Sequence, residues 1–116
     1  MNVKTFNDVV KAQLERSEQL LTGKGREYAE GAEANDGVDR LAHFKKAAAL
    51  QSETPEQAAF GMLAKHLVSV SDMVASDEAY TLEHWNEKIT DSINYLLIIR
   101  AIVEEKETAR PHGAAN

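Results

Sequence analysis

Side chains able to bind phosphate or a metal ion recur on one predicted helix near the end of the chain. Glu87, Asp91 and Asn94 are four and three residues apart, so they share a face of that helix. The two carboxylates are either an ordinary solvated pair or ligands of Mg²⁺, which accepts one or two carboxylates and then bridges phosphates. Asn94 and Tyr95 interrupt an apolar run, and a buried Asn either ties helices together or recognises the edge of a ligand.

The preceding predicted helix supplies candidate partners for this face. Three of its residues share one face at four- and three-residue spacing, namely Lys65, Ser69 and Asp72, and His66 lies beside them. If the two helices are antiparallel neighbours, these residues lie opposite 87–94 across a shallow cleft. Lys65 is either a surface charge or a phosphate contact. His66 is either a partly buried, hydrogen-bonded residue or a ligand or base.

A segment bracketed by glycines, residues 24–31, follows the first predicted helix. It carries the cations Lys24 and Arg26 and the aromatic Tyr28. The segment is either a simple turn or a flexible loop that contacts phosphates and a base. No predicted strand precedes it, which argues against a phosphate-binding P-loop.

Helical periodicity is strong in four places, and no alternating strand pattern is present. The first helix is predicted from Thr5 to Leu21, with Gly23 ending it, and the second starts with Asp36 as its cap. Its apolar face consists of Leu41, Phe44 and Ala48. The third runs from Pro55 to Val74 after a capping box at Thr54, and Thr81 caps the fourth. The sequence therefore predicts an all-α, four-helix bundle-like single domain over residues 1–105, with a frayed or disordered tail over 106–116.

The fourth predicted helix is apolar nearly all round in its second half. One side, the predicted core stripe, carries Trp85, Ile89, Leu96 and Val103, and the opposite side continues from the polar residues into Ile98 and Ile102. A helix of this kind is buried on both sides. Because four short helices offer little material to cover both sides, we expect a homo-oligomer.

Charge and composition exclude several classes of protein. The formal net charge is -6, and Lys and Arg are scattered singly or in pairs, which argues against binding long nucleic acids. Cysteine is absent, which excludes disulfides, thiol catalysis and thiolate metal sites. The start of the chain has no signal-peptide core, and no apolar run is long enough to span a bilayer. We therefore expect a cytoplasmic protein without a membrane partner.

An ordered series of short motifs resembles a known family. The series is Tyr28-Ala29-x-Gly31, then Asp39-Arg40-Leu41-x-x-Phe44, then Lys65-His66 with Asp72, then Glu87-Lys88-Ile89-x-Asp91-x-x-Asn94-Tyr95-Leu96. It resembles the small phage and prophage proteins of the nucleotide-modification-associated domain type. These are in turn distantly similar to the all-α nucleoside triphosphate pyrophosphatases of the MazG and dimeric dUTPase kind. The resemblance covers residues 20 to 105 and implies an oligomeric helical bundle that handles nucleotides inside a bacterial host cell.

The resemblance also implies roles for individual residues. The all-α pyrophosphatases hold Mg²⁺ with a Glu-x-x-Glu pair on one helix and Glu-x-x-Asp on the next. Asp91 takes the place of the final Asp, whereas Lys65, His66 and Asp72 fall where the first pair would be. A pyrophosphohydrolase built this way would hold Mg²⁺ with Asp72, Glu87 and Asp91, neutralise the phosphates with Lys65, and use a bound water as the nucleophile.

Two other functions are consistent with the same residues. A non-catalytic protein would sequester a cyclic or signalling nucleotide to counter host defence. Its phosphate contacts would be Lys24, Arg26, Arg40 and Lys65, its base would stack on Tyr28, and His66, Asn94 and Tyr95 would complete the binding set. In a purely structural oligomer, the polar cluster would only set the register between subunits.

Overall fold

Four α-helices form the part of the chain that the structure, a computed structural model, describes: residues 1–28 and 37–110, without the side chains of 24–28. The helices are α1 (Val3–Tyr28), α2 (Ala42–Gln51), α3 (Pro55–Ala75) and α4 (Leu82–Thr108). These residues contain no strand, so the predicted all-α, bundle-like fold is confirmed. None of the described helices has both the length and the hydropathy needed to cross a membrane.

The helices α3 and α4 form an antiparallel hairpin at the centre of the fold. The predicted capping box starts α3, because the Thr54 side chain accepts from the Gln57 backbone N–H and the Gln57 side chain accepts from the Thr54 backbone N–H. Thr81 caps α4 by accepting from the His84 backbone N–H. The pairing of His66 with Tyr95 places the middle of α3 against the middle of α4.

The helix α2 packs on α3, and α1 packs on α4. Leu41, Phe44 and Ala48 are buried, so the predicted apolar face of α2 is confirmed. Leu41 and Phe44 form one cluster with Ala59 of α3 and Ile102 of α4. The core of the chain therefore lies where α2, α3 and α4 meet.

The contact between α1 and α4 is made largely by small polar side chains. Gln13 donates from its Nε2 atom to the Thr90 hydroxyl at 2.9 Å and to the Ser17 hydroxyl at 3.1 Å. Ser17 and Thr90 are both buried. Towards its N-terminus α1 leaves apolar side chains exposed, including Phe6 and Leu14. Among the described side chains of α1, those between Gln13 and Leu21 therefore make the packing contacts, while the N-terminal turns are exposed.

Two predicted helix ends are wrong. The helix α1 continues through Gly23 and Gly25 to Tyr28. Each glycine costs only about 1 kcal/mol relative to alanine in a helix, and the Lys, Arg and Glu residues around Gly25 are good helix formers. The helix α2 begins at Ala42 rather than near Asp36, which lies outside the described residues. Gly37 has a φ of 86°, and the Asp39 carboxylate accepts from the Leu41 backbone N–H at 2.9 Å. This local turn replaces the predicted first turns of the helix.

The predicted orientation of α4 is also wrong. Ile89 and Leu96, expected in the core, are exposed, while Asn94 and Ile102 on the other side are buried. Both sides are apolar, so periodicity could not decide which one α1, α2 and α3 would cover. The helix also extends to Thr108, beyond the predicted end of the domain at residue 105. Residues 111–116 of the predicted tail lie outside the described part of the chain.

Candidate functional site

A cavity of about 330 Å³ lies where the second half of α1, the turn before α2 and the middle of α4 meet. We call it the Asn94 pocket. Its lining combines apolar, aromatic, cationic and amide groups: Leu20, Leu21, Arg40, His43, Phe44, Asp91, Asn94, Tyr95 and Ile98. Three helices and one turn therefore bring four of the predicted site residues, Arg40, Asp91, Asn94 and Tyr95, to one place.

Asn94 is the most unusual member of this lining. It is only 6% exposed, and its Oδ1 atom is buried without a hydrogen-bond partner. A buried acceptor without a partner costs about 1–3 kcal/mol, and such atoms are rare in folded proteins. Asn94 was predicted either to tie two helices together or to recognise a ligand. Its Oδ1 atom makes no hydrogen bond that would tie helices together. The residue lines the pocket, and its buried Oδ1 atom is an acceptor for which the described chain supplies no donor.

Arg40 places a cation on the lining of the same pocket. Its guanidinium Nη2 donates to the backbone carbonyl of Leu21 at 2.8 Å, which connects the turn before α2 to α1. The turn is held by Asp39, which bonds Lys45 at 2.8 Å in addition to the Leu41 backbone. The Lys45 hydrogen bond lowers the pKa of Asp39 below its ordinary value, so this carboxylate is charged at neutral pH. Arg40 retains further guanidinium N–H groups for an anion.

Aromatic rings form a second wall of the pocket. Tyr95 stacks on His66 with ring centroids 5.2 Å apart, and Phe44 meets Tyr95 edge to face at 6.4 Å. His43 contacts Phe44 edge to face in turn, at 5.6 Å. His66 is partly buried and packs on the Tyr95 ring, and its two predicted roles stay predictions. The Tyr95 ring is therefore packed between the rings of His66 and Phe44.

Asp91 lies between the Asn94 pocket and a second cavity of about 380 Å³, which we call the Arg16 cavity. The Arg16 cavity is lined by residues of α1 and α4: Arg16, Gln19, Leu20, Asn86, Glu87, Thr90 and Asp91. The Nη1 atom of Arg16 is buried and has no hydrogen-bond partner. The Oδ2 atom of Asp91 lies 3.7 Å from Nδ1 of His66. Leu20 and Asp91 line both cavities, so one elongated ligand could extend through both.

The predicted metal ligands are only partly brought together. Glu87 and Asp91 line the same cavity, whereas Asp72 is an exposed residue of α3 that lines neither cavity. In the part of the chain that the structure describes, no three carboxylate or imidazole residues form a group suited to a metal ion. A metal held here would need most of its ligands from phosphate and water.

The remaining predicted phosphate contacts have different outcomes. Lys65 is exposed on α3 and lines neither cavity. Lys24, Arg26 and Tyr28 belong to the last turns of α1, and their side chains lie outside the described residues. Their predicted roles therefore stay predictions.

Sequence reasoning missed two residues of this region, Arg16 and His43. Arg16 had a detectable signal, because Gln13 and Leu20 lie three residues before it and four after it. On a helix this spacing puts a guanidinium at the edge of the apolar face. The sequence carried no such signal for His43, because the position of its side chain in the pocket depends on where α2 begins.

Comparisons with protein-family models, with curated proteins and with solved structures give no match for this chain. The function proposed below is therefore inferred from the residues around the two cavities and from the resemblance of the motifs.

Proposed function

We propose that this protein binds a nucleotide or a nucleotide-derived small molecule in the Asn94 pocket, as a phage-type protein acting in the cytoplasm of a bacterial host. The single observation that carries the proposal is the buried, unpaired Oδ1 atom of Asn94. A nucleobase offers the amino or imino N–H that this oxygen lacks. A site built to hydrogen-bond such a group selects strongly against ligands without it.

Two of the four charged residues that line the cavities are arginines, which suit an anionic ligand. Arg40 lines the Asn94 pocket, and Arg16, whose Nη1 atom is buried without a partner, lines the Arg16 cavity together with the carboxylates Glu87 and Asp91. Guanidinium groups bind phosphate through paired N–H donors. We infer that the base lies against Asn94 and Tyr95 and that the phosphates contact one or both arginines.

Hydrolysis of the ligand is a second candidate function, favoured by Glu87 and Asp91 on the wall of the Arg16 cavity. Two carboxylates suit a Mg²⁺ ion that arrives on phosphates, because Mg²⁺ keeps several waters and needs few protein ligands. Bound there, the ion would neutralise phosphate charge. Sequestration without hydrolysis needs only the Asn94 pocket, and we favour it as the simpler proposal.

The test is a thermal-shift screen of nucleoside mono- and triphosphates, cyclic nucleotides and dinucleotides, each with and without Mg²⁺. A ligand at 100 times its dissociation constant stabilises the protein by about 2.7 kcal/mol, which shifts the melting temperature measurably. Chromatography of the recovered nucleotide then separates the two functions. Intact ligand means sequestration, and loss of triphosphate that requires Mg²⁺ means hydrolysis.

A matched pair of variants locates the site. Arg40→Ala should weaken binding by about 10- to 100-fold, because a charge-assisted hydrogen bond contributes roughly 1.5–3 kcal/mol. Arg100→Ala is the control, since Arg100 is an exposed cation of α4 that lines neither cavity. The proposal is wrong if no nucleotide shifts the melting temperature, or if both variants bind as tightly as the wild-type chain.

We also propose that the chain acts as a homo-oligomer, as the sequence predicts. The surface for that assembly is separate from the two cavities.

A further inference from the structure

One side of the α3–α4 hairpin is a continuous apolar surface that nothing in the described chain covers. On α3 it carries Phe60, Leu67 and Val74, and on α4 it carries Leu82, Ile89 and Leu96, each seven residues after the last. The exposed fractions are 58%, 45% and 72% on α3 and 75%, 37% and 55% on α4. We call these six residues the heptad face.

Both halves of the heptad face lie on the same side of the hairpin. His66 and Tyr95 contact each other across the two helices, and Leu67 and Leu96 are the residues that follow them. One residue further along a helix is about 100° further round it. Because α3 and α4 run in opposite directions, the step from His66 to Leu67 and the step from Tyr95 to Leu96 both lead to the same side of the hairpin.

The Asn94 pocket lies on the opposite side of the hairpin. Asn94 precedes Tyr95, so the same rule turns it away from Leu96. The helix α1 covers α4 on that side, as the Gln13–Thr90 hydrogen bond shows. The heptad face is therefore independent of the two cavities.

The spacing and composition of this face are typical of helix–helix packing. Apolar residues that repeat every seven positions form the seams of coiled coils and four-helix bundles. Ala64 and Ser71 lie between the large residues of α3, and small residues there allow close approach of another helix. Lys65 and Asp72 project elsewhere on the helix, and the remaining charged residue of α3, Glu56 in its first turn, is paired with Lys106 at 2.9 Å.

We infer that the heptad face is the interface with a second copy of this chain, and that two α3–α4 hairpins pack through it into an intermolecular four-helix bundle. A two-fold axis places each heptad face against an identical one, and apolar faces of this kind are self-complementary. The six exposed side chains would bury on the order of 500 Å² per copy. The partly buried Ile93 and Val103 flank them and bring the area towards the roughly 800 Å² per partner of a stable interface.

The test compares the molar mass of the wild-type chain with that of variants by sedimentation equilibrium. We expect twice the 12.8 kDa of one chain for the wild type. The double variant Leu67→Lys with Leu96→Lys should be monomeric, because four copies of the charge would meet at the buried seam. The control Leu50→Lys replaces a leucine of α2 that is 89% exposed and lies off the heptad face, and it should remain dimeric.

Charge pairing tests whether loss of the dimer reflects the interface rather than misfolding. Mixing the double lysine variant with the double variant Leu67→Glu and Leu96→Glu should restore a dimer. A milder test introduces a single cysteine into the chain, which has none of its own, and measures the rate at which its thiol reacts. A thiol at Leu67→Cys should react at least 10-fold more slowly when the protein is concentrated, whereas one at Leu50→Cys should react at an unchanged rate.

Three results would overturn this inference: a monomeric wild type at high concentration, a dimeric double lysine variant, or thiol reactivity at residue 67 that is independent of concentration. If Phe6→Lys alone gives a monomer, the interface is the exposed part of α1 instead. Loss of the dimer with intact ligand binding would leave the proposed function standing, because the Asn94 pocket lies on the other side of the hairpin.

Discussion

Replacing Asn94 by leucine should make the protein more stable and abolish ligand binding. Leucine branches at the same carbon as asparagine but is bulkier, and the adjoining pocket has room for its methyl groups; position 94 is 6% exposed. The substitution removes the Oδ1 atom that is buried without a donor. Most substitutions of a buried residue destabilise a protein, so a gain in stability is a distinctive outcome.

The expected size of the effect follows from the unpaired acceptor. Leaving an acceptor buried and unpaired costs about 1–3 kcal/mol, and this cost disappears in Asn94→Leu. Leucine also has the higher helix propensity, which contributes up to about 0.5 kcal/mol. We expect the free energy of unfolding to rise by about 1–2 kcal/mol. For a domain of this size the melting temperature should rise by about 4 °C or more.

Thr90→Val is the matched control for this measurement. It also replaces a buried polar residue of α4 by an apolar residue, one turn earlier. The Thr90 hydroxyl has a partner, because it accepts from Gln13 at 2.9 Å. Threonine and valine have similar helix propensities, so the loss of that bond should lower the free energy of unfolding by about 1 kcal/mol.

Urea denaturation of both variants, followed by circular dichroism, gives the two free energies, and the thermal-shift screen gives the ligand response. Opposite signs at positions 90 and 94 would support the interpretation of Asn94 as an acceptor reserved for a ligand. If Asn94→Leu is destabilised as much as Thr90→Val, the amide already has a partner in the free protein. If it still binds the nucleotide with wild-type affinity, the base does not contact residue 94.

Three further predictions concern other parts of the chain. Asp91→Asn should abolish any Mg²⁺-dependent hydrolysis while preserving the fold, which product analysis and circular dichroism would show; unchanged turnover would exclude Asp91 as a metal contact. Ser52→Gly should raise the free energy of unfolding by about 1 kcal/mol in urea titrations, because Ser52 ends α2 with a φ of 54°, where glycine is unstrained. The hydrogen bond from Lys106 lowers the pKa of Glu56 in the folded protein below its ordinary value of 4.5. The stability that this carboxylate contributes is therefore fully present above pH 4.5 and is lost as the pH falls through the pKa of the folded state. Lys106→Ala should therefore reduce the dependence of stability on pH in that acid range, and an unchanged slope would show that the pair is not formed.

Local sequence signals predicted the start of α3 and α4 because caps act within one turn of the chain. Thr54 and Gln57 form their capping box from residues three apart, and no distant contact is needed. The end of α1 was mispredicted because a glycine costs only about 1 kcal/mol in a helix, and α1 runs through both Gly23 and Gly25. The start of α2 depended on a turn at Gly37 and Asp39, whose backbone conformation is not fixed by residue type alone.

The candidate site was predictable in its residue types but not in its grouping. Asn94 stood out because it interrupts an apolar run, Asp91 through its four-residue spacing from Glu87, and Arg40 through a motif. Their meeting at one cavity depends on the way α1 and the turn before α2 pack on α4, and periodicity carries no information on that. For the same reason Asp72, three residues after Ser69 on the predicted face, lines neither cavity.

The amino-acid sequence by itself determined an all-α chain, the N-terminal caps of α3 and α4, and the presence of two apolar sides on α4. Only the tertiary structure decided which of those sides is covered within the chain. Burial is a property of the neighbours a side chain meets, and two sides of similar hydrophobicity are equivalent until α1, α2 and α3 pack against one of them. That choice left a residue of the pocket lining with an amide oxygen that has no donor, and six apolar side chains exposed on the other side.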